Sequence, residues 1–151
     1  MAKPFSLQTV LELMQTRTDE ATRQLATLLA AEQDAQRKLA MLQHYRDEYF
    51  ARFRSAAQNG LRPADWRNYQ DFLGRIDEAV EQQRHAVAQS EKSTAAGQSH
   101  WREQNKRLKA IDTLSQRHEA RERHRESRLD QKQQDEYSTR KFSRGQGHDH
   151  E

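Results

Sequence analysis

The feature that most constrains this chain is a heptad pattern of apolar residues in its first third. Steps of four and three residues from Leu7 to Ala56 meet mostly apolar side chains, the spacing at which one face of an α-helix packs against a partner helix. We call these positions the first seam: Leu7, Leu11, Met14, Thr18, Ala21, Leu25, Leu28, Glu32, Ala35, Leu39, Leu42, Arg46, Tyr49, Phe53 and Ala56.

A second seam follows a short segment of turn residues. Residues 58–63 read QNGLRP, an Asn-Gly turn followed by a proline suited to the first turn of a new helix. The same spacing then gives Trp66, Tyr69, Leu73, Ile76, Val80, Gln83, Val87, Ser90, Thr94, Gly97, Trp101, Gln104, Leu108 and Ile111. This second seam is apolar at both ends and weak between Gln83 and Gly97.

The two seams predict an all-α fold, an antiparallel two-helix coiled-coil hairpin with a longer second helix. We expect a single coiled-coil domain over residues 1–151. Its expected parts are helix 1 at about 5–57, a loop at 58–63, helix 2 at about 64–138 and a flexible tail at 139–151.

Reversal of the chain near residue 61 pairs positions whose numbers sum to about 122. At two successive layers of this register, Ala21 with Trp101 and Leu25 with Gly97, a large side chain faces a small one, so that volume is conserved across the seam. The predicted pairs are Ala21 with Trp101, Leu25 with Gly97, Leu11 with Ile111, Met14 with Leu108, and Phe53 with Tyr69.

Three polar residues interrupt the first seam, namely Thr18, Glu32 and Arg46, which recur every fourteen residues. Polar residues at such positions often fix a unique alignment at some cost in stability. Simple tolerance of polar side chains at a thin two-helix seam explains them equally well.

Composition disfavours several classes of function. The 26 basic and 23 acidic residues leave a net charge of only +3, so a concentrated basic surface for nucleic acid is not expected. Cysteine is absent, no apolar run is long enough to span a bilayer, and no Gly-rich phosphate loop is present. We therefore expect a soluble, intracellular, non-enzymatic protein without cofactors, and only incidental metal binding by His148 and His150 in the terminal GHDHE.

Aromatic residues are concentrated near the predicted turn, and not all of them belong to the seams. Tyr45, Phe72 and Ala79 fall on one flank of the hairpin, beside Lys38 and Arg52. These rings either broaden a thin core or form a docking surface for another protein.

The far end of the second helix is rich in charge and poor in apolar residues. In the register above, residue 118 is the last with a partner on the first helix. The segment beyond it either frays in solvent or becomes ordered by insertion into a partner. Binding of nucleic acid by its arginines is disfavoured because Glu119, Glu122 and Glu126 lie in the same run.

Four segments of the chain form a recognisable combination: LQHYRDEY at 42–49, WRNYQDFLGRIDEAVEQQR at 66–84, HWREQNKRLKAIDTL at 100–114 and RLDQKQQDEY at 128–137. Together they resemble the FliJ family of flagellar type III export proteins. The resemblance implies the central stalk of an export ATPase hexamer that promotes ring assembly and activity. It also implies contact with the cytoplasmic domain of the export gate protein, cycling of export chaperones, and a cytoplasmic location at the inner-membrane export apparatus without insertion into the membrane.

The resemblance also implies two sets of partner-binding residues. The gate-contacting set corresponds to Leu42, Tyr45, Tyr49, Phe72, Ile76, Ala79 and Gln83. The ring-contacting set corresponds to Arg102, Arg107, Arg128, Asp130, Gln131, Lys132, Asp135 and Glu136. Alternatives to this role are the related stalk of an injectisome secretion ATPase and a purely structural coiled-coil spacer or adaptor.

Overall fold

The computed structural model describes residues 3–148, which form two long α-helices. Helix α1 spans Lys3–Gln58 and helix α2 spans Pro63–His148. No strand occurs within this range, and the all-α class predicted from the heptad pattern is confirmed.

Helix α2 continues to His148, where the sequence placed its end near residue 138. No proline follows Pro63 to stop it, and the Thr139 hydroxyl donates to the carbonyl of Asp135 at 2.8 Å within the helix. Residues 139–148 of the expected flexible tail are therefore helical, and their flexibility stays a prediction. Residues 149–151 lie outside the described range.

The turn between the helices follows from three residues. Gly60 adopts a φ of 87°, a left-handed conformation that glycine enters without a steric penalty. The amide of Asn59 donates to the carbonyl of Ala56 at 3.2 Å and closes the last turn of α1. Pro63 then opens α2 at a position where a helix has no need of an amide hydrogen.

Residues 17–105 form one compact unit, and within it the two helices run antiparallel in the predicted register. A β-carbon at Gly97 would lie 3.6 Å from Leu25 Cδ1, and the rings of Phe53 and Tyr69 lie 5.5 Å apart, as the predicted pairs require. The indole N–H of Trp101 donates at 2.9 Å to the hydroxyl of Thr22, the residue next to its predicted partner Ala21.

Polar residues of this unit connect the helices. Thr18 donates to the carbonyl of Gln104 at 3.4 Å, and Arg46 forms an ion pair with Asp77. Thr94 donates to the carbonyl of Leu28 at 3.4 Å. The stretch of α2 that is poor in apolar residues is thus joined to α1 by hydrogen bonds.

The second compact unit contains residues 3–16 and 106–148. On α1, the seam residues Leu7, Leu11 and Met14 are half-buried. On α2, the positions that continue the seam spacing are buried or half-buried: Leu108, Ile111, Ser115, His118 and Glu122. From Arg123 to Gly145, which we call the free part of α2, every residue is exposed. The predicted pairs of Leu11 with Ile111 and Met14 with Leu108 stay predictions.

Neither helix, over its described residues, contains a stretch that is both long enough and apolar enough to cross a membrane.

Candidate partner-binding surfaces

Seven aromatic rings near the turn form one connected group. Along its centre, Tyr49 lies 4.4 Å from Phe72 and 5.4 Å from Tyr69 between ring centroids. Phe53 lies 5.0 Å from Trp66 and 6.2 Å from Phe50. At such centroid distances the rings are in contact with one another, so the group ties the last turns of α1 to the first turns of α2.

One side of this group is open to solvent. Tyr45 is 47% exposed and meets the half-buried Phe72 edge-on, with ring centroids 6.3 Å apart. Ala79, two turns further along α2, is also half-buried. We call Tyr45, Phe72 and Ala79 the Tyr45 surface. Its partial exposure is consistent with both hypotheses drawn from the sequence, namely that the rings broaden a thin core and that they form a docking surface.

The other residues of the predicted gate-contacting set occupy positions of the two seams. Ile76 is only 6% exposed, and Leu42 and Tyr49 are half-buried. The Gln83 amide donates to the carbonyl of Ala35 on the facing helix at 2.9 Å. Direct contact with a partner is therefore open first to Tyr45, with Phe72 and Ala79 beside it.

Near the Tyr45 surface, electrostatics favour the neutral form of the Tyr49 phenol and the charged form of the Arg46 guanidinium. Burial, followed by the neighbouring phenols of Tyr69 and Tyr45, raises the pKa of Tyr49 above its ordinary value, and the charge of Arg52 opposes this only in part. The hydrogen bond from Arg46 to Asp77 raises the pKa of that arginine further.

Trp66 differs from its expected role. The spacing made it the first seam residue of α2, yet it is 44% exposed. It lies in the first turn after the loop, where α1 has almost ended, so it covers Phe53 and turns its other side to solvent. Phe50, on the flank opposite Tyr45, is exposed to a similar degree at 42%.

Between residues 118 and 132, α2 separates its charges by face, which a count of charged residues does not show. One shallow groove is lined by Arg121, His124, Arg125, Arg128, Leu129 and Lys132. A second is lined by His118, Glu119, Glu122, Arg123 and Glu126. One face of this helix is thus basic and another is mainly acidic, which suits contact with a polar partner surface of alternating charge.

The predicted ring-contacting residues are all exposed. Arg102 lies in the unit of residues 17–105, and the others lie in the second unit. The six from Arg128 to Glu136 share three turns of α2 and form the coherent part of the set.

The similarity of this chain to known proteins extends over both helices. The family model described as flagellar FliJ protein matches residues 3–147. This chain belongs to the FliJ family. It is 34% identical over 140 residues to the flagellar FliJ protein of Salmonella typhi, in a match that covers 93% of this chain and 95% of that protein. To the flagellar FliJ protein of Escherichia coli (strain K12) it is 32% identical over the same shares of both chains.

Membership in the FliJ family confirms the resemblance first carried by four short segments. The match extends through the turn and through the charged part of α2, so both candidate surfaces lie within it. Of the terminal GHDHE, Asp149, His150 and Glu151 lie outside the described residues.

Proposed function

We propose that this chain is a non-enzymatic component of the flagellar type III protein export apparatus and forms the central stalk of the export ATPase ring. In this role it promotes assembly and activity of the ring, links the ring to the export gate, and helps to cycle export chaperones. Membership in the FliJ family supports the role in export. The finer assignments rest on the resemblance and on the surfaces described above.

The observation that carries the stalk proposal is the exposed end of α2. From Arg123 to Gly145 the helix has no buried or half-buried side chain, and its surface is polar nearly all round. A lone helix of this kind is marginal in water. Enclosure by a polar ring would stabilise it, since its exposed charges would meet complementary ones on the ring.

The Tyr45 surface supports the link to the export gate. It combines an exposed aromatic ring with short side chains and a rim of cations, which is a common composition at protein interfaces. Because it lies in the unit of residues 17–105, a gate contact there leaves the free part of α2 available to the ring.

Two alternatives make different demands on the chain. A spacer needs only the seams and would not require an exposed, charged helical end. An injectisome stalk would use the same fold, and the match to the flagellar family favours the flagellar role.

Titration of the cognate export ATPase with this chain tests the proposal. A central stalk occupies one position on the axis of a hexamer, so we expect ATP hydrolysis to rise and to saturate at one chain per six ATPase subunits. Analytical ultracentrifugation of the same mixtures should show hexamers at lower ATPase concentration than without the chain. Absence of stimulation, or saturation at one chain per ATPase subunit, would contradict the stalk role.

A further inference from the structure

One flank of the unit of residues 17–105 differs in charge from the other. On α1, positions seven residues apart place Arg17, Gln24, Ala31, Lys38, Tyr45 and Arg52 along it. On α2, the corresponding positions are Phe72, Ala79, Ala86, Ser93 and His100. We call this set the basic flank, because it contains three permanent cations and no carboxylate.

Contacts at both ends show that these two rows of residues lie on the same side. At one end, the rings of Tyr45 and Phe72 meet. At the other, Arg17, Gln24 and His100 line a common groove. Between the two ends the side chains on α2 are short, so the backbone of a third helix can approach the hairpin closely.

Beside the groove at Arg17 lies a buried polar group without a hydrogen-bond partner among the described residues. Gln104 is only 8% exposed, and its side-chain oxygen has no hydrogen-bond partner among the described residues. Buried amide groups are almost always hydrogen-bonded. That oxygen is covered by neighbouring atoms, so a donor from a molecule bound in the groove reaches it only if the lining side chains shift. Glu20, which also lines the groove, cannot serve as the donor, because an ionised carboxylate has no hydrogen to donate.

The cations of the basic flank are also available. Within the described part of the chain, Arg17, Lys38 and Arg52 take part in no ion pair. On the opposite flank, by contrast, Asp77 is paired with Arg46, and Arg84 with Glu81. Each of these cations has an exposed carboxylate within about one turn of α1, namely Glu20, Asp34 and Glu48, but Asp34 is paired with Arg37 and Glu48 with His44. The three unpaired cations are therefore the part of this flank that is complementary to an acidic surface.

We propose that the basic flank binds an acidic α-helix of a partner protein as a third strand. The apolar face of that helix packs on Tyr45 and Phe72, and its carboxylates lie opposite Arg17, Lys38 and Arg52. For the identity of the partner this inference rests on the proposed function, in which the Tyr45 surface contacts the cytoplasmic domain of the export gate protein.

The test compares two triple variants of the full chain for binding to that gate domain. The flank variant is Arg17→Gln, Lys38→Gln, Arg52→Gln. The matched control, Arg23→Gln, Arg37→Gln, Arg54→Gln, removes three exposed arginines of α1 that lie away from the basic flank. All six side chains are exposed, so thermal melts of both variants should match that of the parent chain.

We expect the flank variant to bind the gate domain about tenfold more weakly at low salt and to show a shallower dependence of Kd on salt concentration. The control should bind within about twofold of the parent chain. Equal binding by the two triple variants, with equal salt dependence, overturns the inference.

A third variant, Tyr45→Ala with Phe72→Ala, separates this inference from the proposed function. Weaker gate binding by this variant, with full binding by the flank variant, leaves the gate contact standing and overturns the acidic helix. Full binding by both overturns the gate contact and the acidic helix together. If the flank variant instead loses only binding to vesicles containing phosphatidylglycerol, the flank serves a lipid surface and the inference is likewise overturned.

Discussion

At the scale of single residues, Gly97 is a point of close packing between the two helices. A β-carbon there would lie 2.6 Å from Leu28 Cδ1, whereas a β-carbon at Gly74 would meet nothing within 4 Å. Both glycines lie inside α2, so a change to alanine improves helix propensity equally at the two sites. The difference in stability between the two alanine variants therefore measures the effect of the contact between residue 97 and Leu28 across the seam.

We expect Gly74→Ala to stabilise the chain by about 0.5 to 1 kcal/mol. Gly97→Ala should be less stable than Gly74→Ala by about 0.5 to 1.5 kcal/mol, because the end of the Leu28 side chain must rotate away to admit the methyl group. Urea unfolding of the two variants measures this difference. Equal stability would show that Gly97 is not a point of close contact.

The pKa of Tyr49 predicts a loss of stability at high pH. The folded state raises this pKa above the ordinary value of 10.0, so above that pH the folded chain holds more protons than the unfolded chain. The stabilising contribution is complete below about pH 10 and is lost as the pH rises through the folded-state pKa.

Urea unfolding at several pH values between about 9 and 11 tests this effect. Tyr49→Phe should flatten the decline in unfolding free energy over this range. Tyr137→Phe, at a side chain that is 68% exposed, is the matched control and should retain the decline. A decline of equal slope in Tyr49→Phe and the parent chain would contradict the assignment.

At the scale of the helices, the heptad spacing predicted which side of α1 is covered. Every position of the first seam is buried or half-buried, polar interruptions included, because the spacing depends on helix geometry and not on the chemistry of one residue. The hydrogen-bond partners of the polar seam residues could not be predicted, since they depend on rotamers. Arg46, for example, pairs with Asp77, a flank residue of α2.

The candidate sites were predictable to different degrees. The position of Tyr45 beside Phe72 follows from heptad positions alone, whereas the unmet oxygen of Gln104 depends on how side chains close around one groove. The predicted end of α2 near residue 138 was based on composition. Composition does not show that a helix continues until a residue ends it. Sequence therefore predicts which face a residue occupies better than which bonds it makes.

The free end of α2 should be the least stable helical part of the chain. Its amides between residues 123 and 145 belong to turns without buried side chains, so opening there exposes almost no apolar surface. We expect these amides to exchange with solvent at least about a hundredfold faster than those near Ile76 and Val80, which are buried. Comparable protection in both regions, measured by hydrogen exchange of the isolated chain, would contradict this account.

At the scale of the whole molecule, two kinds of surface occur in different units of one FliJ-family chain. The unit of residues 17–105 carries the Tyr45 surface and the basic flank, and the other unit carries the exposed, charged part of α2. The proposed gate contact and the proposed ring contact therefore use different residues. Changes that impair one should leave the other intact.

The most direct test of this account is ATP hydrolysis by the cognate export ATPase in the presence of a chain truncated after Glu122. This truncation keeps every buried or half-buried side chain among the described residues, so the melting temperature of the remaining hairpin should be nearly unchanged. Tyr45→Ala with Phe72→Ala in the full chain is the control, and it should stimulate hydrolysis normally. We predict that the truncated chain gives no stimulation, and full stimulation by it would contradict the stalk role of α2.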